Sequence, residues 1–89
     1  MQEVPFRLYQ DVCLDLDIIR ADGKDVREFA SKQDISVSEC ARLQQVAKIQ
    51  DTTTTSVILG KNYGITVEDF VSIMKEMGRQ DIVNLINEW

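Results

Sequence analysis

The residues able to do chemistry in this chain are few, and their spacing limits what they can do. Asp15 and Asp17 lie two positions apart, so on a helix they point to different faces and cannot share one proton as an acid–base pair. The surrounding "DLDIIRADG" has the look of a calcium loop. It fails as one, because Ile18 and Ile19 stand where oxygen ligands must precede the glycine. Cys13 and Cys40 match neither a zinc spacing nor a disulfide framework, and each falls in a helical apolar pattern, which predicts buried free thiols. The chain has no histidine, which removes Ser–His–Asp and Cys–His nucleophile activation and imidazole ligation of a metal. "GKNYG" offers a glycine and a lysine without the P-loop pattern, and predicts a turn. The Thr52–Thr55 run presents hydroxyls for phosphorylation, but threonines here also suit a helix start. No catalytic residue, cofactor or metal site is expected, and the chain does not read as an enzyme.

These residues sit in a chain of 89, 44% of them apolar, which suffices for one small core and one domain over residues 1–89. A net charge of −5 argues against nucleic acid as the main partner. The charge is uneven: residues 1–40 carry nine acidic and five basic side chains, residues 41–89 six and five. No apolar run approaches the roughly 18 residues of a membrane span. The opening "MQEVPFRLYQDVCLDLD" is too acidic and interrupted for a signal peptide. No membrane partner and a cytoplasmic location are the expectations.

The elements that must position these residues read as helices. Pro5 can open the first, since a first helical residue needs no amide hydrogen. Leu8, Val12, Leu16 and Ile19 then form one apolar stripe, broken by "RADGK" at 20–24. A short second helix turns Val26, Phe29 and Ala30 inward. "ISVSE" places Ser36 as a cap with Glu39 three residues on, a capping box, and Ile35 before it as a hydrophobic staple on Cys40. Cys40, Leu43, Val46 and Ala47 follow at helical spacing.

"DTTTTSVIL" reads locally as a strand through its β-branched residues, yet no second strand exists to pair with it. A fourth helix is therefore predicted, capped by Asp51 or Thr52, with Val57 and Ile58 inward and its end before Gly60 or Gly64. "ITVEDFVSIMKEMG" is the clearest helix. Thr66 caps it, Glu68 and Asp69 favour its positive end, Val67, Phe70, Ile73, Met74 and Met77 face inward, and Gly78 suits a left-handed terminus. Ile82, Leu85, Ile86 and Trp89 define a sixth.

A small, acidic, helical domain invites comparison with acyl carrier proteins, but Ser56 stands between Thr55 and Val57, not in their Asp-Ser-Leu setting. Instead, "DVREFASKQDIS" resembles the second helix of the death-domain superfamily, and "TTSVILGKNYGITVEDFVSIMKEMGRQDIVNLI" resembles its fourth to sixth helices in order and spacing. "EVP", "EFAS" and the terminal "DIVNLINEW" are similar to the amino-terminal death domains of the interleukin-1-receptor-associated kinase and Pelle group. Val26 stands where that group often has Trp, and Gly60 near its usual "WG". "MGRQDI" also resembles a turn of the myeloid differentiation adaptor, and "GKNYGITVEDF" the paracaspase death domains.

The resemblance implies an all-α fold, a six-helix antiparallel bundle of Greek-key topology. It implies homotypic association with other death domains and with itself into a higher-order oligomer of innate-immune or interleukin-type signalling, with an attached kinase beyond this chain. It also implies three contacts. One sets Lys61, Asn62 and Tyr63 against Gly78, Arg79, Gln80 and Asp81. A second sets Arg42 and Gln45 against Arg20, Asp22 and Lys24, or Asp51 and Thr52. A third sets Asp25, Arg27 and Glu28 against Asp11 and Asp15. Replacing Tyr63 or Arg79 is then expected to weaken assembly and spare stability. A monomeric docking module is the other reading, favoured if Met74 and Met77 are exposed.

Overall fold

Side-chain caps set the starts of three helices, at Asp25, Ser36 and Thr66. The computed structural model describes residues 4–61 and 64–89, and they form six helices: α1 (Phe6–Asp17), α2 (Val26–Lys32), α3 (Val37–Ile49), α4 (Thr54–Lys61), α5 (Val67–Met77) and α6 (Gln80–Asn87). Among the described residues there is no strand. Ser36 Oγ accepts the Glu39 amide at 3.1 Å to start α3, and Thr66 Oγ1 accepts the Asp69 amide at 3.0 Å to start α5, each satisfying a donor that the helix itself cannot. Gly78 ends α5 at φ 77°, a left-handed conformation that costs glycine nothing. The chain then folds straight into α6.

Each helix buries one face. Val12, Cys13 and Leu16 of α1, Val26 and Phe29 of α2, Leu43 of α3, Ile58 of α4, Phe70 and Met74 of α5 and Ile82 of α6 meet in a single core. At its centre Phe29 and Phe70 pack edge to face, with ring centroids 5.5 Å apart and planes at 74°, the arrangement that aromatic quadrupoles favour. Helix α1 packs on α4 and α6, α2 on α3, α4 and α5, α3 on α4, and α5 on α6.

Several details differ from the sequence reading, each for a physical reason. Helix α1 stops at Asp17 and Ile18 is extended at ψ 119°, so Ile19 leaves the apolar stripe and is exposed. Val46 lies at the edge of the core and is exposed, whereas Val83 is fully buried. Trp89 lies past the end of α6 and is more than half exposed. Helix α4 begins at Thr54, later than a cap at Asp51 or Thr52 implies, and runs through Gly60 to Lys61. Met74 and Met77 are buried, so the methionine surface that a docking module calls for is not formed. No helix of the described residues is long and apolar enough to cross a membrane.

Candidate protein-interaction site

Three charged side chains fix the corner where α1, α2, α4 and α6 meet. Asp17, in the last turn of α1, reaches the start of α4. Its Oδ2 accepts the Thr54 amide at 2.8 Å, and its Oδ1 accepts the Thr55 amide at 2.8 Å and the Thr55 hydroxyl at 2.7 Å. A carboxylate at the end of its own helix opposes that helix's dipole, and the same charge favours the start of another. Just before α4, Thr53 Oγ1 accepts the Ser56 amide at 3.1 Å.

Asp25 is the cap of α2 and is fully buried. It accepts the Arg20 amide at 2.9 Å, the Arg27 amide at 2.9 Å, and the Arg27 guanidinium at 2.9 and 2.7 Å. Burial pushes its carboxyl up, but these four donors outweigh that and hold it down at about 2. The Arg27 Nη2 also donates to the Arg20 carbonyl at 3.1 Å, so the loop before α2 is gripped from both sides.

Arg79 is the third. Its side chain is only 3% exposed. It donates to the Lys24 carbonyl at 2.6 Å and the Asp15 carbonyl at 3.4 Å, and pairs both oxygens of Asp81 at 3.0 and 2.9 Å. The planar fork of a guanidinium serves all three partners at once. The cation at the start of α6, unfavourable for the helix dipole alone, is explained by these bonds. Lys24 itself lies over Gly78: a Cβ built there would sit 3.1 Å from the Lys24 ammonium.

Two of the expected contact residues are therefore corrected. Asp25 and Arg79 are buried, and their side chains hold the corner together instead of meeting a neighbour. The rest of the expected set is at the surface or outside the described residues. Arg20 and Asp22 pair with each other at 2.9 Å, both about two-fifths exposed. Arg27 is half exposed, Asp81 faces solvent on its outer side, and Lys24, Gln80, Gln45, Asp51 and Asp11 are exposed, with Asp15 and Glu28 half-buried. Asn62 and Tyr63 lie outside the described residues. Lys61 and Arg42, expected in different contacts, converge on Glu39 at 3.6 and 3.5 Å.

Lys24 and Arg79, also expected in different contacts, are brought together by the hydrogen bond from the Arg79 guanidinium to the Lys24 carbonyl. No family model, no curated protein and no solved structure matches the chain. The geometry of the surface therefore carries the functional argument.

Two grooves lie on different helix pairs and share no residue. One, of about 390 Å³ between α1 and the start of α4, is lined by Phe6, Tyr9, Cys13, Leu14 and Ser56, with Asp51 at its rim. Phe6 protrudes, 74% exposed. Burial pushes the Cys13 thiol up to about 11 against hydrogen bonds with Thr53 and Tyr9, so it stays protonated and inert at neutral pH. The other groove, of about 340 Å³ between α2 and α3, is lined by Ile35, Val37 and Cys40, with Arg27 at its rim. Val37 protrudes, 89% exposed. Phe6, Leu14 and Val37 were missed as surface residues by the sequence reading. For Phe6 and Val37 the available signal was an apolar residue at a helix's first position, and for Leu14 an apolar residue off the stripe that the rest of α1 defines. Among the described residues no His, Cys, Asp and Glu side chains are grouped so as to hold a metal ion.

Proposed function

We propose that this chain is a death-fold interaction domain that assembles with copies of its own kind and with other death domains. In this reading it gathers an attached kinase in a signalling oligomer of the innate-immune or interleukin type. The helix motifs quoted above, in their order, support it, and so do six helices lying along the chain in that order.

The observation that carries the reading is the pair of grooves. Each presents a protruding apolar side chain, Phe6 or Val37, and their rims carry opposite charge, Asp51 and Arg27. Two different, complementary patches on one molecule make a heterologous contact, which propagates instead of closing. Apolar anchors supply the energy and rim charges guide encounter. Propagation raises the local concentration of whatever each copy carries.

Light scattering across a concentration series, at two salt levels, tests it. Growth into large, salt-sensitive assemblies is expected. Phe6→Asp and Val37→Asp should each block growth while retaining the wild-type melting temperature. Mixed together they should form a one-to-one complex, because each keeps the patch that the other lacks. Failure of the mixture to associate overturns the heterologous contact. A monomer at every concentration, with or without a second death domain, overturns the reading as a whole.

A further inference from the structure

Asp22 is the only aspartate of the chain followed by glycine, and no asparagine is followed by one. The pair is chemically special, because a glycine amide has no side chain to shield it and can attack the carboxyl carbon before it. The Gly23 nitrogen bonds to Asp22 Cγ, and the carboxyl hydroxyl leaves with the amide proton as water, which closes a succinimide ring. Water then reopens the ring. Where the bond from the Gly23 nitrogen to the main-chain carbonyl carbon breaks, the chain continues through Cγ as an isoaspartate of unchanged mass. The turn cannot shed this liability by substitution. A Cβ at Gly23 would have nothing within 4 Å, but the backbone stands at φ 76°, which other L-residues adopt only at a cost.

The fold holds both reacting groups. The Gly23 amide donates to the Arg20 carbonyl at 3.1 Å, and cyclisation needs that nitrogen to give up its proton and turn towards Asp22. The carbonyl is itself fixed, since it also accepts from Arg27 at 3.1 Å while the Arg20 amide donates to Asp25 at 2.9 Å. The Asp22 carboxylate takes the Lys24 amide at 3.0 Å and the Arg20 guanidinium through Nε at 3.1 Å and Nη2 at 2.9 Å. The Lys24 amide, and then Arg20, hold its carboxyl below the ordinary value. Ring closure needs the neutral acid, which these donors disfavour.

We infer that the Asp22–Gly23 bond is a latent self-modification site, that Arg20 guards it against isoaspartate formation, and that its rearrangement releases the corner held by Arg79. The release follows from the connectivity. Isoaspartate inserts one extra carbon into the main chain between positions 22 and 23 and leaves the carboxylate directly on Cα, too short to reach as before. The Lys24 amide loses its acceptor and Lys24 moves. Its carbonyl accepts the Arg79 guanidinium at 2.6 Å, and its ammonium lies over Gly78, 3.1 Å from where a Cβ would stand. One rearranged bond in an exposed turn is thereby coupled to the junction of α5 and α6. The inference concerns a single chain and is independent of the assembly proposed above.

The experiment ages the full chain, its Arg20→Ala variant and a peptide of residues 18–28 side by side at physiological temperature and mildly acidic pH. Isoaspartate is counted with an isoaspartyl methyltransferase and labelled S-adenosylmethionine, and located by peptide mapping. The folded parent should form it at position 22 about tenfold or more slowly than the peptide, because the loop must open first. Arg20→Ala should form it roughly two- to fivefold faster than the parent, the worth of an exposed ion pair, with a melting temperature near the parent's. Parent chain aged while unfolded in urea, refolded and separated by chromatography supplies the isomerised form. That form should melt about 4 °C or more below the parent.

Three results overturn the inference. A folded parent that isomerises as fast as the peptide shows that the loop protects nothing. A rate in Arg20→Ala equal to the parent's removes Arg20 as the guard. An isomerised form that melts with the parent breaks the link to Arg79.

Discussion

The Asp17 carboxylate caps a helix to which it does not belong: it accepts the amides of Thr54 and Thr55, both at 2.8 Å, from 37 and 38 residues away. Asp17→Ala leaves both amides and the buried Thr55 hydroxyl without their acceptor. A loss of about 2–3 kcal/mol is expected, at the high end for a cap because a buried polar group is also stranded. Asp17→Asn, which keeps one acceptor oxygen, should lose less. Urea denaturation of the two variants, read as midpoint shifts, checks the order.

Arg79→Glu should cost about 3–5 kcal/mol, because it places a negative charge against two carbonyls and Asp81 in a nearly closed site. The burial of Arg79 replaces the expectation from sequence, that reversing this charge spares stability, with this one. Arg79→Lys, which keeps the charge but not the fork, should fall between the parent and Glu. Thermal melts followed by circular dichroism separate the three. Equal melting temperatures for all would sink the account of the corner.

Asp25 gives the fold an acid limit. Its carboxyl sits at about 2 in the folded protein against 3.8 when free. A depressed folded value stabilises above the unfolded one, so the contribution is full at neutral pH. It is lost as pH falls from about 5 towards 2, and amounts to about 2 kcal/mol. Stability measured against pH should drop across that range. In Asp25→Asn the drop should be shallower, from a lower starting stability.

Phe70→Ala should cost about 3–5 kcal/mol, since the side chain is fully buried and loses its edge-to-face partner Phe29. Denaturation midpoints would register this directly, and a change below about 1 kcal/mol would contradict the packing described.

The elements with local causes were legible in the sequence. Ser36, Thr66 and Gly78 act within a turn of where they stand, and their helices begin and end as the caps dictate. The faces of α2 and α5 followed from spacing alone. What was not legible depends on distant partners. The start of α4 is set by Asp17, which reads in sequence as half of an unhelpful carboxylate pair. Arg79 reads as a surface charge because its acceptors belong to the α1 end and the α1–α2 loop. Ile19 fits the stripe of α1 by count, and only the extended backbone at Ile18 takes it away.

Of the proposed site, Asp51 and Arg27 were among the residues expected from position, while the protruding Phe6 and Val37 were not. Amphipathic periodicity identifies what a helix buries. A protruding Phe6 or Val37 then remains as an unexplained residue until the neighbouring helices show that nothing covers it.

Two of Arg79's acceptors are main-chain carbonyls, at Lys24 and Asp15, and every residue type supplies a carbonyl. In a library randomised at positions 15, 24, 79 and 81 and selected for folding, arginine should return at 79. Its choice should be linked to the acid at 81 and to nothing at 15 or 24. These hydrogen bonds between the start of α6 and residues 15 and 24 would thus leave no trace in paired substitutions, and a contact map inferred from covariation would miss them.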